Sequence, residues 1–124
     1  MTIAIWMILG AWLTIIVSVS LAKGRKDYDN RAPRSYVEHQ PDEWRRRAYW
    51  AHQNGYENLP LFIAGVLIAE WRDAPQTWVD TLAVLFVLFR LGHLAAYVAD
   101  KHVLRSLAWT AAIVCTIGLF VVSV

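Results

Sequence analysis

An all-α integral membrane protein, a bundle of four transmembrane helices, is the fold this chain predicts, and three observations predict it. Four apolar stretches are long enough, or nearly so, to cross a bilayer, which takes about 20 residues per helix. Basic residues concentrate in alternate connections between those stretches. The polar groups inside the stretches recur at helical spacing rather than strand spacing. At 124 residues the chain is expected to form a single domain, 1–124. Its 57% hydrophobic composition exceeds the apolar share of an ordinary soluble domain. A net charge of +2 is too small to suggest a nucleic-acid partner, and none is expected.

The helices are expected at about 3–22, 42–71, 76–99 and 104–124, with a cytoplasmic loop at 23–41. Ile3 to Ala22 is a clean span. No Lys or Arg precedes it and its apolar run outlasts a signal peptide's, so Ser20-Leu21-Ala22 is not read as a cleavage site. The loop carries Pro33, Pro41 and mixed charges, and partial order is expected there. Pro41-Asp42-Glu43 can start the second helix, with Pro in the first turn and acids facing the positive dipole end. From there to Trp71 is about 45 Å, so this helix projects into the cytoplasm, its apolar part running from about Asn54. Pro60 deprives the Tyr56 carbonyl of its partner, and a kink is expected. In the third helix the run Thr77 to Ala99 is interrupted by Asp80, Arg90 and His93. Asp73 is a candidate cap for it, with Pro75 in the first turn. The fourth helix, Leu104 to Val124, holds the lone Cys115, which rules out an internal disulfide and reads as a small buried hydrophobe. Gly10 and Gly92 read as close helix contacts.

Orientation follows from the cations. Lys23, Arg25, Lys26, Arg31, Arg34, Arg45, Arg46 and Arg47 lie between the first and second helices, and Lys101 and Arg105 between the third and fourth. The second connection offers only Arg72, beside Glu70 and Asp73. The positive-inside rule puts the first and third connections in the cytoplasm and both termini outside. Trp71 and Trp78 then mark the outer interface, and Trp44, Tyr49 and Trp50 the inner one. The expected location is the cell inner membrane, as a multi-pass protein.

An ionised Arg90 in mid-membrane costs roughly 2.5–3.5 kcal/mol on insertion scales and is kept where it pairs or binds something. Arg90, His93 and Tyr97 share a helical face at i, i+3 and i+7. Arg47, Asn54 and Glu57 lead into the apolar run of the second helix, and Arg105 and Ser106 open the fourth. Topology brings all of them into one leaflet, as a cationic cavity open to the cytoplasm. Arginine forks match carboxylates, and Glu57 with Asn54 suits an ammonium and amides, so a small zwitterionic peptide fits the inventory. The apolar helices beside it admit a lipophilic partner. A helix N-terminus at Arg105-Ser106 favours an anion, and a thiol held there becomes the reactive thiolate. Plainer readings stand beside these. Arg45 and Arg46 read as solvated or headgroup-facing charges, Glu57 and Arg90 as a structural ion pair, His52 as a cytoplasmic surface residue, and Trp50 and Tyr56 as interface or packing residues.

The stretch Arg47-Ala-Tyr-Trp-Ala-His52-Gln-Asn54-Gly-Tyr-Glu57-Asn-Leu-Pro60-Leu-Phe62 resembles the second-helix signature of the MAPEG family (membrane-associated proteins in eicosanoid and glutathione metabolism). Asn54, Glu57, Pro60 and Phe62 reproduce its core, Asn-x-x-Glu-x-x-Pro-x-Phe. Arg90-Leu-Gly-His93-Leu-Ala-Ala-Tyr97, followed by Arg105-Ser106, is similar to the second half of the glutathione site in the microsomal glutathione transferase and prostaglandin E synthase branch. The resemblance implies a homotrimer with glutathione, as co-substrate, bound between subunits. It implies Arg105 and Ser106 as catalytic residues stabilising the thiolate, and Asn54, Glu57, Arg90, His93 and Tyr97 as glutathione contacts. Arg47, on the same side of its helix as Asn54, is a further candidate contact, and no metal is expected. Gln53 and Trp109 depart from that branch, which often has an arginine and a tyrosine there.

Three function classes follow. One is a glutathione-dependent transferase or peroxidase acting on lipophilic electrophiles, in the manner of detoxification enzymes. Another is a non-catalytic lipid- or glutathione-binding membrane protein of the same family. The third is a haem protein with His52 and His93 as axial ligands, against which the surrounding arginines argue.

Overall fold

The computed structural model describes residues 1–124. It is all-helical, with α1 at Ile3–Lys23, α2 at Pro33–Glu38, α3 at Glu43–Trp71, α4 at Gln76–Val98 and α5 at His102–Val122. Three of these, α1, α4 and α5, are long and apolar enough to cross a membrane. The 29-residue α3 is not among them, because its first half is loaded with Arg45, Arg46, Arg47, His52, Asn54 and Glu57.

α3 and α4 form the centre of the bundle. Both pack on α1 and on α5, and on each other, which leaves α1 and α5 on opposite flanks. The core combines alanines (Ala4, Ala11, Ala69, Ala83, Ala112) with Phe62, Val66, Val79, Phe86, Cys115 and Leu119. Small side chains let helices approach closely, which is how packing replaces the hydrophobic effect between helices in lipid. Phe62 of α3 lies flat on Phe86 of α4, ring centroids 3.8 Å apart. The close α1–α3 approach is at Gly55, where an added Cβ would come within 2.6 Å of Ile15 Cγ1. The expected contact at Gly92 is absent, since nothing lies within 4 Å of its Cβ position, and at Gly10 the contact with Val87 is ordinary, at 3.6 Å.

At the amino-terminal end of α1 the capping is supplied partly by other helices. Thr2 caps Ile5 N, the Asp80 carboxylate of α4 accepts from Ala4 N at 2.8 Å, and the Thr2 hydroxyl donates to Glu70 of α3. Gln76 Nε2 donates to both carboxylates, at 3.1 Å to Glu70 and 3.0 Å to Asp80. Asp80, an interruption in the apolar run, is thus an acceptor for an orphan helix N–H and lies at the positive end of a dipole.

The connection expected as a partly ordered loop contains α2, with Pro33 at its start and Val37 buried against Ala22 and Ala48. Two side chains then close the last turn of α1. The buried Gln40 donates from Nε2 to Ala22 O at 3.1 Å, and Arg45 donates from Nη1 to Leu21 O at 2.6 Å. Gly24 leaves the guanidinium room, as an added Cβ would lie 2.7 Å from Arg45 Nη1. Arg45 also binds Asp42 at 3.2 Å and stacks on Trp44 at 4.2 Å. It is a structural cation on the negative end of α1, not the solvated charge that sequence suggests.

Helix boundaries move for local reasons. α3 starts at Glu43, so Pro41 lies outside it, and the Asp42 carboxylate serves Arg25 and Arg45 instead of capping. Pro60 leaves α3 unbroken. Asp73 does not cap α4, whose N-cap is Pro75. Asp73 instead ends α3 in the left-handed region (φ 50), with Asp73 N on Glu70 O at 3.2 Å and Ala74 N on Ala69 O at 3.0 Å. Asp100 ends α4 the same way (φ 57), with Asp100 N on Tyr97 O at 3.2 Å and Lys101 N on Ala96 O at 2.8 Å. Both are Schellman closures with Asp in the place usually taken by Gly. The second makes the α4–α5 connection so tight that α5 begins at His102, two residues before the expected start.

Candidate functional site

A cavity of about 410 Å3 lies among α3, α4 and α5, lined by Asn54, His93, Tyr97, Arg105 and Ser106, together with Trp109 and Thr110. That volume falls within the usual range of small-molecule sites, about 300–1,000 Å3. Five of the eight residues singled out from sequence therefore share one wall system. The helical spacing of His93 and Tyr97 puts both rings on the α5 side of α4, edge to face at 5.4 Å. The Arg105 guanidinium covers the Tyr97 ring at 4.6 Å, a cation–π contact that holds it over the cavity. Asn54 donates from Nδ2 to Glu57 Oε2 at 3.3 Å, and its own side-chain oxygen accepts from Asn58 at 3.2 Å.

Arg90 and His93 are buried, with 5% and 3% of their surface exposed, and Arg90 Nη1 and His93 Nδ1 have no hydrogen-bond partner. Glu57 is not within the 4.0 Å of Arg90 that an ion pair requires, so the two do not form the structural pair that sequence permits. Glu57 sits on an exposed face, one helical turn from Asn54. Buried polar atoms without partners are costly. His93 borders the open cavity, whereas Arg90, one turn before it on α4, does not line that cavity and lies against a small void among α1, α3 and α4 with Thr14, Ile15 and Gly55.

Arg47 does not line the cavity. It donates from Nη2 to Val98 O at 3.1 Å and pairs with Glu43 at 3.7 Å, which fastens α3 to the last turn of α4. The expected free N–H groups at Arg105 and Ser106 are also not there. Because α5 begins at His102, Arg105 N already donates to Lys101 O at 2.9 Å, and both residues face the cavity with side chains alone. Trp109, noted from sequence as a departure from the resembled branch, does line the cavity, and Thr110 is added by the structure. The signal for Thr110 was its spacing of four from Ser106, whose carbonyl accepts the Thr110 hydroxyl at 2.9 Å. His52 and His93 do not converge as axial ligands. His52 Nδ1 lies 3.2 Å from Ile15 O of α1, and its ring packs between Tyr49 and Tyr56. Ser106, Trp109 and Thr110 are exposed, so the cavity is open along α5.

No curated protein and no solved structure matches the chain. Residues 3–124 match the family model described as MAPEG. Together with the three apolar helices, this identifies a multi-pass membrane protein. With all but its first two residues matched, the chain belongs to the MAPEG family, which includes glutathione transferases and related proteins.

Proposed function

We propose that the protein is a glutathione-dependent transferase or peroxidase of lipophilic electrophiles. In this reading all four long helices cross the inner membrane, with both termini outside and the cavity open to the cytoplasm. The working unit is a homotrimer, and a neighbouring copy closes the open side along α5. One observation carries the reading. The cavity gathers Asn54, His93, Tyr97, Arg105 and Ser106, with the His93 Nδ1 buried and unpartnered, and Arg90 Nη1, also unpartnered, lies one turn along α4 from His93.

Glutathione brings two carboxylates, an ammonium, two amides and a thiol. Arg90 and Arg105 are the cations for carboxylate and thiolate, while Asn54 and Glu57 suit the amides and ammonium. Ser106 donates its hydroxyl to sulfur, and the positive Arg105 lowers the thiol's pKa. In a transfer step the thiolate forms a carbon–sulfur bond as the bond to the leaving group breaks with its electron pair. With a peroxide, two glutathione thiols are oxidised to the disulfide while the O–O bond is reduced to alcohol and water. Arg47 acts here as a positioning residue, holding Val98, the neighbour of Tyr97. Trp109 gives the cavity an apolar wall against which a lipophilic substrate can lie.

Calorimetric titration of glutathione into detergent-purified protein tests the ligand. Saturable binding is expected, weakened at least tenfold in Arg90→Ala. Arg105→Ala is expected to lower turnover of an activated aryl halide at least a hundredfold while the fold is retained. No binding at millimolar glutathione sinks the ligand, and binding without turnover of electrophile or peroxide leaves the non-catalytic family role. Cross-linking that stops at a species other than three chains removes the trimer.

A further inference from the structure

Away from that cavity, the cations of the first connection fall into two groups. Arg25, Arg31, Arg45, Arg46 and Arg47 each lie within 4.0 Å of a carboxylate. Lys23, Lys26 and Arg34 do not, although the connection is rich in Asp and Glu. Of these three, Lys23, whose Nζ also lies 5.6 Å from the Tyr28 ring, and Arg34 converge on a second cavity of about 170 Å3. Tyr49 and His52 complete its polar wall, Val19 and Val37 its apolar floor, and no carboxylate lines it.

Its position is as informative as its charge. Lys23 is the last residue of α1, a helix long and apolar enough to cross a membrane, so the cavity lies at the membrane boundary. Val19 is one helical turn deeper than Lys23. Burying Val37 against Ala22 and Ala48 sets α2 beside the end of α1 and brings Arg34, which follows Pro33 at the helix start, to the rim. His52 turns one ring nitrogen to Ile15 O at 3.2 Å, and the other is available. His52 and Asn54 are two residues apart on α3, on opposite helical faces, so this cavity and the larger one are separate.

Two cations without a carboxylate partner, a phenol and an imidazole over an apolar floor suit a phosphate group attached to a hydrocarbon. The volume is below that of sites that enclose a whole ligand and is in scale with a headgroup. We infer that this cavity holds the phosphate of an anionic lipid, with Lys23 and Arg34 on the phosphate oxygens, Tyr49 donating its hydroxyl, and the first methylenes lying along Val19. A free phosphorylated molecule offers the same phosphate chemistry without the chain.

Native mass spectrometry of the full-length protein, released from detergent with added phosphatidylglycerol or phosphatidylcholine, tests this. One phosphatidylglycerol per chain is expected, retained at least tenfold over phosphatidylcholine. Lys23→Gln with Arg34→Gln is expected to abolish that preference, and Arg34→Gln alone, at an exposed position, to cut it about fivefold without change in melting temperature. Lys26→Gln with Arg31→Gln removes the same charge from the same connection and is expected to keep the preference. Equal loss in that control, or no preference in the parent protein, overturns the site in favour of diffuse attraction. Inorganic phosphate assigns the source. Failure to displace the lipid at millimolar concentration supports the lipid, and displacement supports a free phosphate compound on the same residues.

Discussion

A guanidinium that keeps 5% of its surface exposed and leaves Nη1 unpartnered weakens the empty protein. An apolar side chain of similar length in its place removes a buried donor that has no acceptor and so relieves its desolvation penalty. Arg90→Met is therefore expected to raise the melting temperature of the ligand-free protein while it abolishes glutathione binding. A lower melting temperature in a thermal shift measurement would make Arg90 a structural residue. Asp100 presents the opposite case, a residue whose strain is local. At φ 57 its left-handed conformation is tolerated by Asp and easy for Gly, but steeply disfavoured for a β-branched side chain. Asp100→Gly is expected to be neutral or slightly stabilising, and Asp100→Val to cost about 1–3 kcal/mol in denaturant unfolding. The Arg90, His93 and Tyr97 face was legible from spacing alone. The roles of Arg45 and Arg47 were not, because their backbone acceptors, Leu21 and Val98, lie 24 and 51 residues away.

Among the elements, α2 depends on partners outside itself. Six residues are too few for a helix to hold its shape from backbone bonds alone, and it is held by Val37 beneath it and by Gln40 on the end of α1. Gln40→Ala leaves the Ala22 carbonyl without its donor and is expected to cost about 1–3 kcal/mol, read as a fall in thermal stability. Upstream, the Asp27 carboxyl is held below its ordinary value of 3.8 by the Arg25 guanidinium first and by the Tyr36 hydroxyl second. A depressed carboxyl contributes stability above its unfolded value, and that contribution is lost as pH falls through the depressed native value. Asp27→Asn at neutral pH is expected to loosen the segment as acid does in the parent protein. Tryptic cleavage after Lys26 and Arg31 should then be several times faster, and an unchanged rate would show that the link does not hold the loop. The long helices were readable because each repeats one apolar pattern for five turns or more. The short α2 and the exact start of α5 were not, since a buried valine and an αL aspartate decide them.

For the whole molecule, the placement of α3 and α4 at the centre explains why the polar residues of α3 are tolerated. Arg45 and His52 reach backbone carbonyls of α1, Arg47 reaches one of α4, and Asn54 lines the cavity shared with α4 and α5. The Phe62–Phe86 stack packs the apolar half of α3 against α4. The proposed topology makes the connection around α2 cytoplasmic. Cys115 is the only cysteine and is buried, so Asn30→Cys provides a nearly background-free reporter. A membrane-impermeant maleimide is expected to label it in inside-out vesicles and not in intact cells with the outer membrane permeabilised. The reverse pattern would invert the orientation while leaving the bundle as it is.

Sequence by itself determined the helical class, the three long apolar helices and the face shared by Arg90, His93 and Tyr97, because hydropathy and a period of 3.6 are local properties of a chain. It also carried the family motif around Asn54, Glu57, Pro60 and Phe62. Only the tertiary structure decided which polar groups meet. It put Asn54 and Ser106 on one cavity and His52 on another, left Arg90 without an ion pair, and gave Arg45 and Arg47 to helix ends. Those outcomes depend on how helices far apart in sequence pack and on where each begins, and a shift of one residue in a helix start turns every following side chain by about 100°.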